Sequence, residues 1–224
     1  MNNKININGV IIPNNDKELY DFFGLESTCP KDVHSVLAAL NGGDVDVYIN
    51  SGGGSVTSGS EIYEALRSYK GNVHIHITGL AGSAASVIAC SRESEMSPAA
   101  LFMVHNASGG AEGDYRAMRR AAKTLQTVNE AIANAYADKT GKSKDELLAI
   151  MDAETWLTAA QAVEYGFVDR VSKPADGTVR NMAATVQSVI SDKARELYAC
   201  SKKAASDNER LLSAAIKYAK LGGI

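Results

Sequence analysis

A serine in this sequence has the surroundings that nucleophilic catalysis requires. Ser83 lies in the run of small residues at 79–86, which follows a strand-like stretch at 73–78 and opens a short apolar helix. Its hydroxyl would lie at the positive end of that helix, beside backbone N–H groups that have no intrahelical partner. This placement predicts that Ser83 is a nucleophile.

A serine hydroxyl is a weak nucleophile until a base takes its proton, and the base needs a third group to hold its tautomer. His105 is the candidate base, since it ends a continuously apolar stretch at 100–105. The orienting carboxylate would come from Glu154 or Asp152, both in the segment 152–157, which we expect to be a loop between two helices. These residues form a candidate Ser-His-acid triad.

Attack on a carbonyl also needs two hydrogen-bond donors for the oxyanion that forms. The N–H of Ala84 follows the nucleophile directly and is the natural first donor. We expect Gly54, in a glycine-rich loop at 50–55, to be the second donor, because a residue without Cβ lets its amide turn inward. The run lacks the G-x-x-x-x-G-K-[ST] and G-x-G-x-x-G patterns, which disfavours nucleotide binding.

The elements that must position these residues alternate between strand and helix patterns. Strand-like runs occur at 45–49, 73–78 and 100–105, and helical patterns occur at 30–40, 55–70 and 83–90. This order predicts an α/β fold with right-handed βαβ crossovers and a mostly parallel sheet. Because ligands in such sheets gather at the carboxyl ends of the strands, we expect the glycine-rich run, Ser83 and His105 to converge on one edge.

Helical patterns dominate the following part of the chain. The longest helical pattern spans 114–139. Capping boxes at Ser143 and Thr158 then begin two shorter helices, which end near 151 and 166. We expect a last strand at 167–171.

The character of the chain changes after this strand. Residues 173–224 contain nine Lys and Arg against five Asp and Glu, in one or two amphipathic helical patterns. We therefore divide the chain into a domain at 1–172 and a helical C-terminal extension at 173–224.

Composition narrows the functional classes. A net charge of −3 provides no basic field for nucleic acid. The three cysteines lack metal or redox spacing, as do the other histidines, so we expect neither a metal nor another cofactor. No apolar run approaches the length of a membrane span, and the N-terminus is unlike a signal peptide. We therefore expect a soluble, cytoplasmic protein.

Four separated segments resemble, in order, motifs of the Clp protease proteolytic-subunit family. They are YINSGGG at 48–54, GLAGSAAS at 79–86, MVHN at 103–106 and TAAQAVEYGFVD at 158–169. The resemblance covers roughly residues 5–172 and implies a crotonase-like α/β fold.

Carried over to this sequence, the resemblance implies a serine endopeptidase with Ser83 as nucleophile, His105 as base, and Gly54 and Ala84 as oxyanion donors. It also implies a protruding handle helix at about 114–139. Through that helix, family members pack into stacked homo-oligomeric rings, which restrict access to unfolded or specially delivered polypeptides.

The sequence departs from the family pattern at the position of the third triad member. Glu154 stands where Asp is usual, and Asp152 lies two residues earlier. Gly52 stands where Pro is common in the glycine-rich motif. Because Glu is one methylene longer than Asp, both carboxylates stay open as the orienting acid.

Two further segments, at 21–24 and 154–158, look like the phage and prophage branch of the family. That branch is associated with head maturation, so the resemblance implies capsid, scaffold or portal proteins as partners, in the bacterial cytoplasm or inside a procapsid. The alternatives are a housekeeping subunit that works with a Clp ATPase, a crotonase-fold acyl-CoA enzyme without a Ser/His pair, and a catalytically silent ring that acts as an assembly scaffold.

Overall fold

The computed structural model describes residues 3–173, together with residues 198, 199, 202 and 203. The chain divides into two compact units, at 1–187 and 188–224. In the second unit the four described residues are helical, and the Lys202 Nζ lies 5.4 Å from the ring centroid of Tyr198. The rest of the predicted extension lies outside the described residues, so the boundary at 172/173 stays a prediction.

Among residues 3–173, eight strands form one sheet. They are β1 (Lys4–Ile11), β2 (Ser27–Thr28), β3 (Val45–Gly54), β4 (Val73–Gly82), β5 (Ser94–Met96), β6 (Leu101–Val104), β7 (Thr155–Thr158) and β8 (Arg170–Val171). Within β3 and the first half of β4, alternate residues such as Val47, Ile49, Ile75 and Ile77 are buried. Each fully buried large apolar side chain stabilises the fold by about 1.5–3 kcal/mol.

Seven α-helices accompany this sheet in the described part of the chain. They are α1 (Lys17–Phe22), α2 (Pro30–Leu40), α3 (Val56–Arg67), α4 (Ala84–Ala89), α5 (Tyr115–Thr140), α6 (Lys144–Asp152) and α7 (Ala159–Glu164). The predicted capping boxes begin α6 and α7, and Asp114 accepts bonds from two N–H groups at the start of α5. None of the described helices is long and apolar enough to cross a bilayer.

The sheet order is β2-β1-β3-β4-β5-β8, and every pair in it is parallel. β4 pairs with two further strands along its length: Ile75–Ile77 pair with β5, and Leu80–Gly82 pair with β6. β7 then pairs antiparallel with β6. The mostly parallel α/β sheet expected from the sequence is therefore confirmed, and the fork in β4 adds a branch of the sheet, formed by β6 and β7, beside the end of β4.

Three local predictions were wrong. The glycine-rich run at 50–54 is the end of β3 and not a loop, because it pairs with both β1 and β4. The segment 152–157 is also not a loop, since Asp152 ends α6 and β7 begins at Thr155. The last strand is shorter than predicted and begins at Arg170.

A partly buried lysine, Lys139, ties the end of α5 to the turn before β8. The Lys139 Nζ donates hydrogen bonds to Asp169 Oδ2 and, at 2.9 Å, to the Arg92 carbonyl oxygen. Asp169 Oδ2 also accepts a bond from the Ser94 N–H at 2.7 Å. Burial alone would raise the pKa of the Asp169 carboxyl, but its hydrogen bonds with Lys139 and Ser94 outweigh burial and lower that pKa.

We expect this carboxylate to make stability depend on pH. Because the folded state lowers the pKa of Asp169, its contribution is present above the ordinary value near ~4 and is lost as pH falls through the lowered value. Asp169→Asn should therefore reduce the free energy of unfolding at neutral pH and reduce it less at about pH 3. Urea unfolding at both pH values tests this, with exposed Glu164→Gln as the control. An equal loss at both pH values would contradict the assignment.

Candidate active site

Strand pairing brings Ser83 to the edge of β6. Gly82 is in register with Met103, and the Ser83 N–H donates to the Met103 carbonyl oxygen at 3.0 Å. Ser83 itself has φ 52° and ψ −124°, a conformation that a residue with a Cβ rarely adopts. Such strain costs on the order of 1–3 kcal/mol and is concentrated at functional sites. This backbone conformation of Ser83 forms the sharp turn between the end of β4 and the start of α4.

The candidate base lies directly beside this hydroxyl. His105 follows the last residue of β6, and its Nε2 lies 2.8 Å from Ser83 Oγ. In the tautomer that carries its proton on Nδ1, the imidazole accepts a hydrogen bond from the serine. The predicted nucleophile and base are therefore in hydrogen-bond contact, although they are far apart in sequence.

The helix behind the nucleophile holds the Ser83 backbone in place. The Ser86 Oγ donates to the Ser83 carbonyl oxygen at 2.6 Å and lies 2.8 Å from the hydroxyl oxygen of Tyr136, on α5. Tyr136 is 1% exposed, and burial raises the pKa of its phenol far above the ordinary value, so the hydroxyl stays neutral. The Ala84 N–H is the first of α4, where backbone donors have no acceptor within the helix.

The glycines at the end of β3 make close contact with the nucleophile possible. A Cβ on Gly53, whose φ is +100°, would lie 2.7 Å from Ser83 Cβ. The Gly53 N–H donates to Ser51 Oγ at 3.1 Å. Gly54 is in register with Ile11, and the Ile11 carbonyl oxygen accepts from the next N–H, that of residue 55. Because the Gly53 N–H is already bonded to Ser51 Oγ, Gly54 is favoured over Gly53 as an oxyanion donor; its role stays a prediction.

Neither candidate acid bonds the imidazole. Within residues 3–173, the hydrogen bond of the His105 ring is the one with Ser83. Glu154 is exposed, has φ 46°, and forms no hydrogen bond with His105 in the described part of the chain. Asp152 Oδ1 instead accepts a bond from Asn106 Nδ2 at 2.6 Å. The identity of the acid therefore stays a prediction.

Sequence reasoning missed two asparagines next to the base. Asn106 binds Asp152, and Asn129 Oδ1 accepts a bond from the Ala107 N–H at 2.8 Å. Asn129 lies three residues before Ile132, on the side of α5 that packs against the core. A polar residue at that position of an otherwise apolar helix face was the signal that could have identified it.

An apolar groove of about 450 Å³ lies between α3 and α5. Val56, Ser60, Val87 and Ile132 line both this groove and the small cavity that contains Ser83 and His105. The groove is therefore contiguous with the candidate nucleophile.

The described residues contain no cluster of His, Cys, Asp or Glu that could hold a metal ion. Cys29 and Cys90 are free and buried. Burial raises the pKa of the Cys90 thiol to about 12. These two cysteines therefore stay protonated near neutral pH and provide no thiolate nucleophile.

We expect Gly53→Ala to disable the nucleophile, because the added methyl group would push directly against Ser83. The rate of Ser83 labelling by a fluorophosphonate should fall by on the order of 10-fold or more. Gly110→Ala is the matched control, since a Cβ at Gly110 meets nothing within 4 Å. Equal labelling of folded Gly53→Ala and wild-type protein would show that the close contact has no importance for the site.

Comparison with known proteins agrees with this architecture. The Clp protease family matches residues 25–175. Two proteins from strains of Bacteroides fragilis, both named ATP-dependent Clp protease proteolytic subunit, are 36% identical over 134 residues, or 58% of this chain. The aligned part spans 64% and 60% of those proteins, less than two thirds of their length.

A ClpP1 mutant from Listeria monocytogenes has a similar structure, with a TM-score of 0.64 and 22% identity. The match covers 78% of this chain and 94% of that one, and it shows the shared fold. The predicted α/β fold of Clp protease type is thus confirmed. With the family match extending over residues 25–175, this chain belongs to the Clp protease family.

Proposed function

We propose that this protein is a serine endopeptidase in which Ser83 is the nucleophile that attacks the peptide bond of a polypeptide substrate. The observation that carries the proposal is the 2.8 Å contact between Ser83 Oγ and His105 Nε2. Membership of the Clp protease family supports the same activity. The strained backbone of Ser83 is a further support, because strain of this kind persists where function requires it.

In the proposed reaction, His105 Nε2 takes the hydroxyl proton as Ser83 Oγ bonds to the carbonyl carbon of the scissile amide. The N–H groups of Gly54 and Ala84 stabilise the resulting oxyanion. The C–N bond then breaks as His105 gives its proton to the departing amine. Water attacks the acyl-enzyme and passes a proton to His105, which returns a proton to Ser83 Oγ as the second product leaves.

The orienting acid is proposed at Glu154, the position that matches the family motif, with Asp152 as the alternative. Glu154 would need to approach the His105 Nδ1 from its exposed position at the start of β7. Asp152 would need to release Asn106. Either carboxylate would hold the tautomer in which Nε2 accepts the serine proton.

We propose that the active form is a homo-oligomeric ring that assembles through α5. The first half of this helix exposes Tyr115 and Met118, which are 62% and 42% exposed. Large exposed apolar side chains on a helix of 26 residues are typical of an interaction surface. A ring would enclose the serines and admit extended chains while excluding folded proteins.

Two biological roles are proposed for this peptidase, one in phage head maturation and one in housekeeping proteolysis. A processing role in phage head maturation, on capsid, scaffold or portal proteins, rests on the phage-like segments at 21–24 and 154–158. A housekeeping role with a Clp ATPase in the bacterial cytoplasm is supported by the names of the Bacteroides relatives. Stimulation of cleavage by ATP and a ring ATPase would distinguish the second role from the first. A silent scaffold is disfavoured by the close Ser83–His105 contact.

Ser83→Ala should abolish peptidase activity while the ring stays assembled, since the change removes only the hydroxyl. His105→Ala should reduce kcat by on the order of 10⁴, because the serine then has no base. Hydrolysis of a fluorogenic peptide, with light scattering for the mass of the assembly, measures both effects. His34→Ala is the control, because His34 is exposed and pairs with Glu61. Wild-type rates in folded Ser83→Ala would refute the proposal.

The apolar groove should determine which bonds are cleaved. Because Ser60 lines both the groove and the cavity at Ser83, Ser60→Trp should fill the space for a side chain next to the scissile bond. For a peptide with Leu next to the scissile bond, we expect kcat/KM to fall by on the order of 10-fold. For the matching peptide with Ala at that position, kcat/KM should fall less. Ser60→Ala controls for loss of the hydroxyl. Equal losses for the Leu and Ala peptides would place the substrate elsewhere.

A further inference from the structure

The candidate base stands at the start of a segment without regular structure. β6 ends at Val104 and α5 begins at Tyr115, so strand pairing fixes the backbone only up to the residue before His105. The imidazole must nevertheless stay within hydrogen-bond distance of Ser83. Contacts on the residues that follow His105 must therefore supply the missing constraint.

The first contact is made by the side chain of Asn106. Its Nδ2 donates to Asp152 Oδ1 over 2.6 Å, which joins the segment to the last residue of α6. Its own Oδ1 is buried without a hydrogen-bond partner among the described residues. A reversed amide would set two acceptor oxygens against each other, so the bond to Asp152 is the contact that holds this side chain.

The second contact is made by the backbone of Ala107. Its N–H donates to Asn129 Oδ1 over 2.8 Å, which joins the segment to the middle of α5. Asn129 and Tyr136 are seven residues apart on α5, and Tyr136 reaches Ser86 behind the nucleophile. The same helix therefore contacts the segment of the base and the helix of the nucleophile.

We propose that Asp152 and Asn129 are positioning residues for His105, acting through Asn106 and Ala107. The proposal rests on the serine peptidase function above and deepens it. In this role Asp152 acts as a hydrogen-bond acceptor and not as a charge beside the imidazole. Asn129 likewise acts only through its carbonyl oxygen. Each residue fixes one of the two positions after the base, and together they aim Nε2 at Ser83 Oγ.

This role makes a prediction that a triad acid does not. Asp152→Asn keeps an acceptor for Asn106 but removes the charge, whereas Asp152→Ala removes both. Asn129→Asp keeps the acceptor for the Ala107 N–H, whereas Asn129→Leu removes it with little change in volume. We expect the Ala and Leu variants to lose kcat by on the order of 10- to 100-fold at nearly unchanged KM. The Asn and Asp variants should recover most of that loss.

Peptide hydrolysis by the four full-length variants, with light scattering to check assembly, is the first arm of the test. If Asp152→Asn falls as far as Asp152→Ala, the residue acts through its charge and the proposal is overturned for Asp152. If Asn129→Asp falls as far as Asn129→Leu, it is overturned for Asn129. A loss confined to KM would also overturn it, because that result would indicate substrate contact.

Crystal structures of the same variants are the second arm of the test, and they show the position of the His105 ring without an activity assay. We expect Nε2 and Ser83 Oγ to separate beyond hydrogen-bond distance in Asp152→Ala and Asn129→Leu, and to stay in contact in the conservative variants. An unchanged contact in all four variants would overturn the proposal. If the wild type neither cleaves peptides nor labels at Ser83, the proposed function fails, yet the crystal structures still show whether these residues position His105.

Discussion

The site depends on one backbone contact, the bond from the Ser83 N–H to the Met103 carbonyl oxygen. It continues the pairing of β4 with β6, in which Gly82 is in register with Met103. A slip of one residue would turn every side chain of β6 to the opposite face. His105, two residues beyond Met103, would then point away from Ser83. The register of this short strand therefore determines whether the candidate nucleophile and the candidate base meet at all.

The fork in β4 explains how so short a strand can be held. β6 has four residues, and its other edge is covered by β7, which pairs with it antiparallel from Leu101 to Val104. Phe102 and Val104 are fully buried in the core. β6 is thus fixed by pairing on both edges and by packing on one face, and the strain at Ser83 is offset by contacts formed elsewhere in the fold.

Much of this arrangement follows from local sequence signals, and what does not follow has a physical reason. Strand alternation, capping boxes and small residues near Ser83 are local features, so they predicted the parallel sheet, α6, α7 and the Ser83–His105 edge. The glycines at 50–54 were misread because glycine favours loops locally, while pairing of Ser51 with Ala81 and of Gly54 with Ile11 makes them strand. Tertiary pairing of this kind leaves no local signal.

The acid was the least predictable part, and the structure explains why. A motif match fixes a position in the chain, but the function of a carboxylate depends on where its oxygens lie. Glu154 stands in a left-handed conformation (φ 46°) just before β7, while Asp152, two residues earlier, ends α6 and reaches Asn106. Two carboxylates so close in sequence therefore have different surroundings. Because the Asp152 bond ends on the residue after His105, a carboxylate can influence the base here without touching its ring.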